Sequence, residues 1–238
     1  MKKVIFLLFL SIFSFSYALE TCYKGYYFFL PLVEDCITYE KNKISAYAHS
    51  TPLGSLFKRV EYKGYSIHKE NLKPEFFYFV QKEGNKKMIH KYRFSEDYIF
   101  FEKEIYKLEG NRYKFQKKLT KKIKNKDYFD PFTASIYLYN VIKRKKEGFL
   151  NIFYDGRRYK VPFKVLKDEN LEINSEKHRT KKIYLHPDFK TKGLLKPTGN
   201  WYIWVDKKLD IPVKLELTFT IGSFKLLLEK LRESSIRN

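Results

Sequence analysis

From Val213 onward, apolar residues occupy every second position, as Val213, Leu215, Leu217, Phe219 and Ile221, while Lys214, Glu216, Thr218 and Thr220 fill the positions between. A period of two is that of a strand with one dry and one wet face. Upstream, Trp201, Ile203 and Val205 alternate with Tyr202 and Trp204, and Asp206 to Asp210 supplies a polar turn. Downstream, Gly222-Ser223 breaks the run before Phe224, Leu226 and Leu228 begin a third. The pattern predicts an antiparallel meander whose apolar face needs a cover.

The same texture recurs through most of the chain. Segments rich in Tyr, Phe, Val and Ile at 37–48, 55–67, 76–81, 86–94, 98–103, 113–119, 149–154, 159–166, 171–175 and 182–186 are separated by turn formers such as Glu83-Gly84-Asn85 and Gly110-Asn111. Turns every 8–12 residues or so predict a many-stranded antiparallel sheet, and Asp155-Gly156 predicts a tight hairpin. Residues 19–35, crowded with Tyr23, Tyr26, Tyr27, Phe28 and Phe29, read as an irregular lead-in packed by its aromatics, and 187–197 as the longest loop. One segment departs from strand texture. Asp130 is a good N-cap, Pro131 suits the first helical position, and Phe132 to Ile142 is apolar nearly all round. Lys143 to Lys146 then complements a helix C-terminus, with Gly148 as its stop. The pattern predicts a mainly β fold, a meandering antiparallel sheet with one main buried helix at about 130–146.

The C-terminal segment GNWYIWVDKKLDIPVKLELTFTIGSFKLLLE resembles the signature of the exported bacterial proteins grouped as domain of unknown function 3108. The matching features are the tryptophan-rich strand Trp201 to Trp204, the D-x-x-x-x-I-P-V turn Asp206 to Val213, and the bend Ile221 to Ser223. Lys73-Pro74 before an aromatic strand and Asp130-Pro131-Phe132 at a helix start fit the same family, so that the resemblance runs from about Tyr39 to Glu229. It implies an envelope location, a β-rich fold and no established reaction. Together with the meander and the helix, it also suggests an architecture similar to the periplasmic lipoprotein carriers: a strongly curved antiparallel sheet or incomplete β-barrel wrapped around a helix.

The N-terminus reads as a secretory signal. Lys2 and Lys3 precede an apolar run from Val4 to Phe15, and Ser16-Tyr17-Ala18 offers small residues at the positions a signal peptidase reads, so cleavage is expected after Ala18. The run is short for a membrane span and no other stretch approaches that length, so an integral membrane protein is not expected. The rest, 19–238, reads as a single β-rich domain. Cys22 and Cys36, an even pair in an exported chain, read as a disulfide stapling the lead-in and contributing on the order of 3 kcal/mol. The alternative is lipidation at Cys22, because Leu19-Glu20-Thr21-Cys22 has lipoprotein spacing, though Glu20 and Thr21 are poor residues for that signal.

Net charge is +21. Such a surface favours polyanions, and in an envelope the relevant partner is an anionic headgroup surface or polysaccharide; a Lys-rich composition in itself is the plainer reading. The densest cluster is Lys117, Lys118, Lys121, Lys122, Lys124 and Lys126. Basic grooves with stacking aromatics bind single-stranded nucleic acid, but export argues against that partner.

Catalytic motifs are missing. The chain has no G-x-S-x-G, H-E-x-x-H, Walker or G-x-G-x-x-G element. His178 and His186 with Asp188 are thin material for a metal site, and none is expected. Glu34-Asp35, Glu96-Asp97 and Asp168-Glu169 point to opposite faces if extended, and read as turn residues. No catalytic residue and no cofactor is therefore expected.

A curved sheet with a helix lid leaves an apolar concavity suited to acyl chains. The expected function is a non-enzymatic envelope protein binding a lipid or other amphiphile; a solid-cored module docking a protein or anionic polysaccharide is the alternative. The candidate ligand-facing wall is Trp201, Trp204, Phe219, Phe132, Ile136 and Tyr139, each equally explicable as core packing.

Overall fold

The computed structural model describes residues 16–187, 197–219 and 222–236. The chain opens with β1 (Ser16–Tyr27), β2 (Leu30–Glu40), β3 (Lys43–Ser50), the short helix α1 (Pro52–Phe57), and β4 (Val60–His68). It continues through β5 (Pro74–Glu83), β6 (Lys86–Phe94), β7 (Tyr98–Glu109) and β8 (Arg112–Lys124) to helix α2 (Pro131–Val141). After α2 come β9 (Glu147–Tyr154), β10 (Arg157–Ile173), β11 (Glu176–Leu185), β12 (Pro197–Asp206), β13 (Pro212–Phe219) and β14 (Ser223–Ile236).

The fourteen strands form one antiparallel sheet in the order β8-β7-β6-β5-β4-β3-β2-β1-β14-β13-β12-β11-β10-β9. Each strand neighbours the next in sequence except at β8 and β9, which lie at opposite ends, and β1 and β14 pair with each other in the middle. The meander therefore grows outward in both directions, and α2 carries the chain from one end of the sheet to the other. The end strands β8 and β9 do not pair with each other. Instead the sheet curls until β9 meets the inner face of the opposite half: Phe153 lies 5.1 Å from the Tyr92 ring and 6.0 Å from that of Phe101. The segment after β8 seals the join, as Phe129 exchanges backbone hydrogen bonds with Asn151 and Phe153, both 2.8 Å. The result is the expected curved sheet, not closed into a barrel.

Helix α2 lies within the curl, and its N-terminus is anchored from several sides. One oxygen of Asp130 accepts from the backbone N–H of Phe132 and Thr133, at 2.9 and 3.1 Å. The other accepts from the hydroxyls of Ser66 on β4 and of Thr133, at 2.8 and 2.7 Å. Burial pushes this carboxyl up and the four donors pull it back. The helix is shorter than expected. It ends at Val141, Arg144 and Lys145 both turn back onto the Val141 carbonyl, and Lys146 already accepts from Val165 of β10. Gly148 lies inside β9, where a side chain would strike the Phe163 ring.

Three other expectations are corrected. Residues 19–35 form no irregular lead-in; they belong to β1 and β2 at the centre of the sheet. The inward positions of β1 include Thr21 and Gly25 as well as Tyr23, which hides the alternation. Residues 55–57 belong to α1, capped by Thr51, whose hydroxyl accepts from Gly54 N and donates to the Pro31 carbonyl. Gly54 is required there because a Cβ would sit 2.0 Å from the Leu32 carbonyl oxygen. Residues 171–173 continue β10 past a bulge between Val165 and Asp168, and Asn174-Ser175 make the turn into β11. The Asp155-Gly156 hairpin forms as expected, both residues at positive φ (48° and 72°). The loop expected at 187–197 falls almost wholly outside the described residues, as do residues 1–15 of the expected secretory signal.

Cys22 and Cys36 face each other across the β1–β2 ladder and form a disulfide. It staples two central strands, and the Cys22 sulfur is thereby occupied. Replacing both cysteines by serine is expected to cost about 2–4 kcal/mol, read as a lower denaturant midpoint at constant m-value; an unchanged midpoint would show that the ladder alone holds these strands.

The polybasic cluster, apart from Lys126 just beyond the strand's end, falls on β8, nearly all of which is exposed. Because β9 covers the inner face only as far as β6 and β7, β8 projects beyond the core with both faces wet. Lysines on such an edge also discourage strand addition.

Candidate functional site

The interior is divided by β9. One side of this strand presents Phe153 to an aromatic core with Phe77, Tyr92, Ile99 and Phe101. The other presents Leu150 and Ile152 to a core shared with α2, β10, β11 and β12. The aromatic side is filled. On the α2 side an apolar cavity of about 220 Å³ remains, between Ala134, Leu138 and Tyr139 of the helix and a sheet wall that includes Val161, Trp201 and Leu226.

One charged residue lines this cavity. Asp35 on β2 stands opposite Tyr23 of β1 and on the same face as Ile37. It has no hydrogen-bond or ion-pair partner among the described residues, and burial pushes its carboxyl up to about 7. The phenols around it stay neutral, since burial pushes Tyr23, Tyr39 and Tyr139 upward. The Tyr23 hydroxyl donates to the Pro212 carbonyl at 2.8 Å.

The six wall residues expected from the sequence are divided by the fold. Trp201 and Tyr139 line the cavity. Phe132 packs instead into the aromatic core, 5.4 Å from the Phe77 ring. Ile136 is half-buried on α2 and does not line the cavity. Trp204 is not in the wall: its indole N–H donates to Glu169 at 2.7 Å, and Lys182 and Lys214 lie over its ring at 4.8 and 4.1 Å. Phe219 belongs to β13, but its side chain lies outside the described residues. The sequence reading missed Asp35 as a wall residue by pairing it with Glu34. The usable signal was the inward row Asp35-Ile37-Tyr39, a carboxylate in register with apolar neighbours.

Two other titratable groupings are structural. His178 Nδ1 lies 2.9 Å from Asp206, whose second oxygen accepts from the N–H groups of Lys208 and Leu209 and so holds the β12–β13 turn. Burial raises the Asp206 carboxyl, but these donors outweigh it and leave it lowered. Glu176 approaches the same imidazole at 3.9 Å but is exposed. His90 is buried, stacked 6.0 Å from Tyr154, and 3.8 Å from an Asp155 carboxylate that Lys103 already holds at 2.6 Å. Burial pushes it down to about 4. Among the described residues, no three His, Cys, Asp or Glu side chains are grouped to hold a metal ion. No helix among them is long and apolar enough to cross a membrane.

The fold has solved counterparts at low sequence identity. A β-barrel-like protein of the DUF1849 family from Brucella abortus is similar at a TM-score of 0.59 and 11% identity, covering 92% of this chain and 98% of its own. An exported protein with a YmcC-like fold from Bacteroides fragilis matches with TM-score 0.36 and 9% identity, over 91% of this chain and 95% of its own. An outer-membrane lipoprotein-sorting protein domain from Vibrio parahaemolyticus matches at 0.29 and 13% identity, over 92% and 85%. No curated protein sequence matches the chain. The model of one family, described as a protein of unknown function (DUF3108), matches residues 32–229, and the chain belongs to that family.

Proposed function

We propose that this is an exported, non-enzymatic envelope protein that binds a hydrophobic or amphipathic ligand between α2 and the sheet. The observation that carries this reading is the apolar cavity between α2 and the sheet, which no side chain among the described residues fills, beside an aromatic core that is packed. A concave, mainly apolar hollow between a helix and a sheet, open on one side, is the kind of place that holds small hydrophobic ligands. Periplasmic location and removal of residues 1–18 complete the proposal. Cleavage after Ala18 would leave the β1–β2 ladder whole, because its pairing starts at Leu19 and Tyr39.

Native mass spectrometry with organic extraction, on protein exported to a periplasm and purified without detergent, is the test. A co-purifying amphiphile near one per chain is expected. A bare chain that also binds no added alkyl compound would overturn the reading. The alternative, docking to an anionic envelope surface, is favoured by one feature: Lys117, Lys121 and Lys124 are exposed on β8 with no carboxylate within ion-pair distance among the described residues. A bare protein retained on anionic vesicles at low salt and released at high salt would move the assignment there.

A further inference from the structure

We infer that the cavity takes a single-chain amphiphile whose head is an ammonium or similar cationic hydrogen-bond donor, seated against Asp35. This rests on the reading of the cavity as a ligand site, and it adds the chemistry of the head and the size of the tail.

The head follows from an unmatched charge. Buried carboxylates are normally paired or saturated by donors. Elsewhere in this fold that holds: Asp130 accepts from four donors, and Asp206 from His178 and two backbone amides. Asp35, half-buried, lines an apolar cavity with no partner among the described residues. The titratable groups facing it are the phenols of Tyr23 on β1, Tyr39 on β2 and Tyr139 on α2, all neutral. No lysine, arginine or histidine lines the cavity among the described residues. An anionic head would find no counter-charge and would meet a carboxylate. A cationic donor supplies what Asp35 lacks, as a charge-assisted hydrogen bond.

The tail follows from the volume. A cavity of about 150 Å³ holds one benzene ring, and drug-sized sites start at about 300 Å³. At about 220 Å³ this cavity suits one alkyl segment and not the several acyl chains of a lipoprotein anchor.

Three compounds sharing one tail test this: decylammonium, decanol and decanoate, titrated into the full chain at pH 8 below their micelle concentrations and followed by calorimetry. Decylammonium is expected to bind best and decanoate worst, at least about tenfold apart. Asp35→Asn is expected to weaken decylammonium by at least about tenfold and leave decanol within about twofold. The protein's charge of +21 favours decanoate in any non-specific adsorption, so the expected order opposes the global field. Equal affinities, or decanoate first, would overturn the inference and leave the cavity reading standing. Failure of all three to bind would overturn both. Should Asp35→Asn not fold, the order of the three heads on the unmodified protein decides alone.

Discussion

Phe153→Ala is expected to lower stability by about 3–5 kcal/mol, in the range for truncating a fully buried aromatic. Phe153 is wholly buried, and its ring meets Tyr92 and Phe101 from the inner face of the opposite half-sheet. Its neighbours Leu150 and Ile152 face the other way, into the core around α2. The substitution therefore opens a void at the one place where the curled sheet meets itself. Because β9 walls the cavity on its other face, ligand affinity is expected to fall along with stability. Urea denaturation measures the first effect. A loss below about 1 kcal/mol at constant m-value would mean that β9 is not seated on β6 and β7.

Asp35→Asn is expected to do the reverse, stabilising the protein at alkaline pH by about 2–4 kcal/mol and by almost nothing near pH 4. An unfolded aspartate titrates near 3.8, whereas burial holds this one up to about 7. Between those values the folded state keeps a proton that the unfolded state has released, so stability falls as pH rises through the window and stays lower above it. Asparagine mimics the protonated form and does not titrate. The difference between variant and parent should grow from pH 4 to pH 8, as measured by denaturant titration at several pH values. His90 has the opposite sign. Its imidazole resists protonation down to about 4, so the stability it contributes is lost as pH falls from about 6.5. A variant-minus-parent difference removes this and every other common titration. If that difference is flat with pH, Asp35 carries its charge in the fold without penalty, and its role as an unmet partner fails. A residue that lowers stability where it stands, and whose neutral isostere would raise it, is what a binding site retains at the expense of the fold.

Much of this architecture was readable from local pattern, and the errors have local causes. Alternation over 201–205 and 213–219 marked β12 and β13, and Asp155-Gly156 marked the β9–β10 hairpin, because these strands are dry on one face and turn on residues that tolerate positive φ. Asp130-Pro131 marked the start of α2 because N-capping is a short-range hydrogen-bond requirement. The end of α2 was overestimated, since the return of Lys146 to the β10 edge is a long-range contact that helix propensity cannot register. β1 was missed because Thr21 and Gly25 interrupt its apolar row, and Gly25 lies so close under Phe224 that a Cβ would stand 2.4 Å from its ring.

For the cavity the division is sharper. The pattern of residues was enough to determine an antiparallel sheet, a buried helix and a cysteine pair, because each depends on periods of two or nearly four and on short-range chemistry, while the curvature of the sheet entered only with the family resemblance. It also placed Trp201 and Tyr139 among the candidates for the wall. Only the tertiary structure decided that β1 and β14 pair at the centre, that Trp204 is capped by Glu169, Lys182 and Lys214, and that Asp35 faces an apolar space. The physical reason is that backbone ladders carry almost no sequence label for which strand adjoins which. A cavity, moreover, is a property of two walls, here α2 and a sheet whose strands lie far apart in the chain, and neither wall's pattern records the distance to the other.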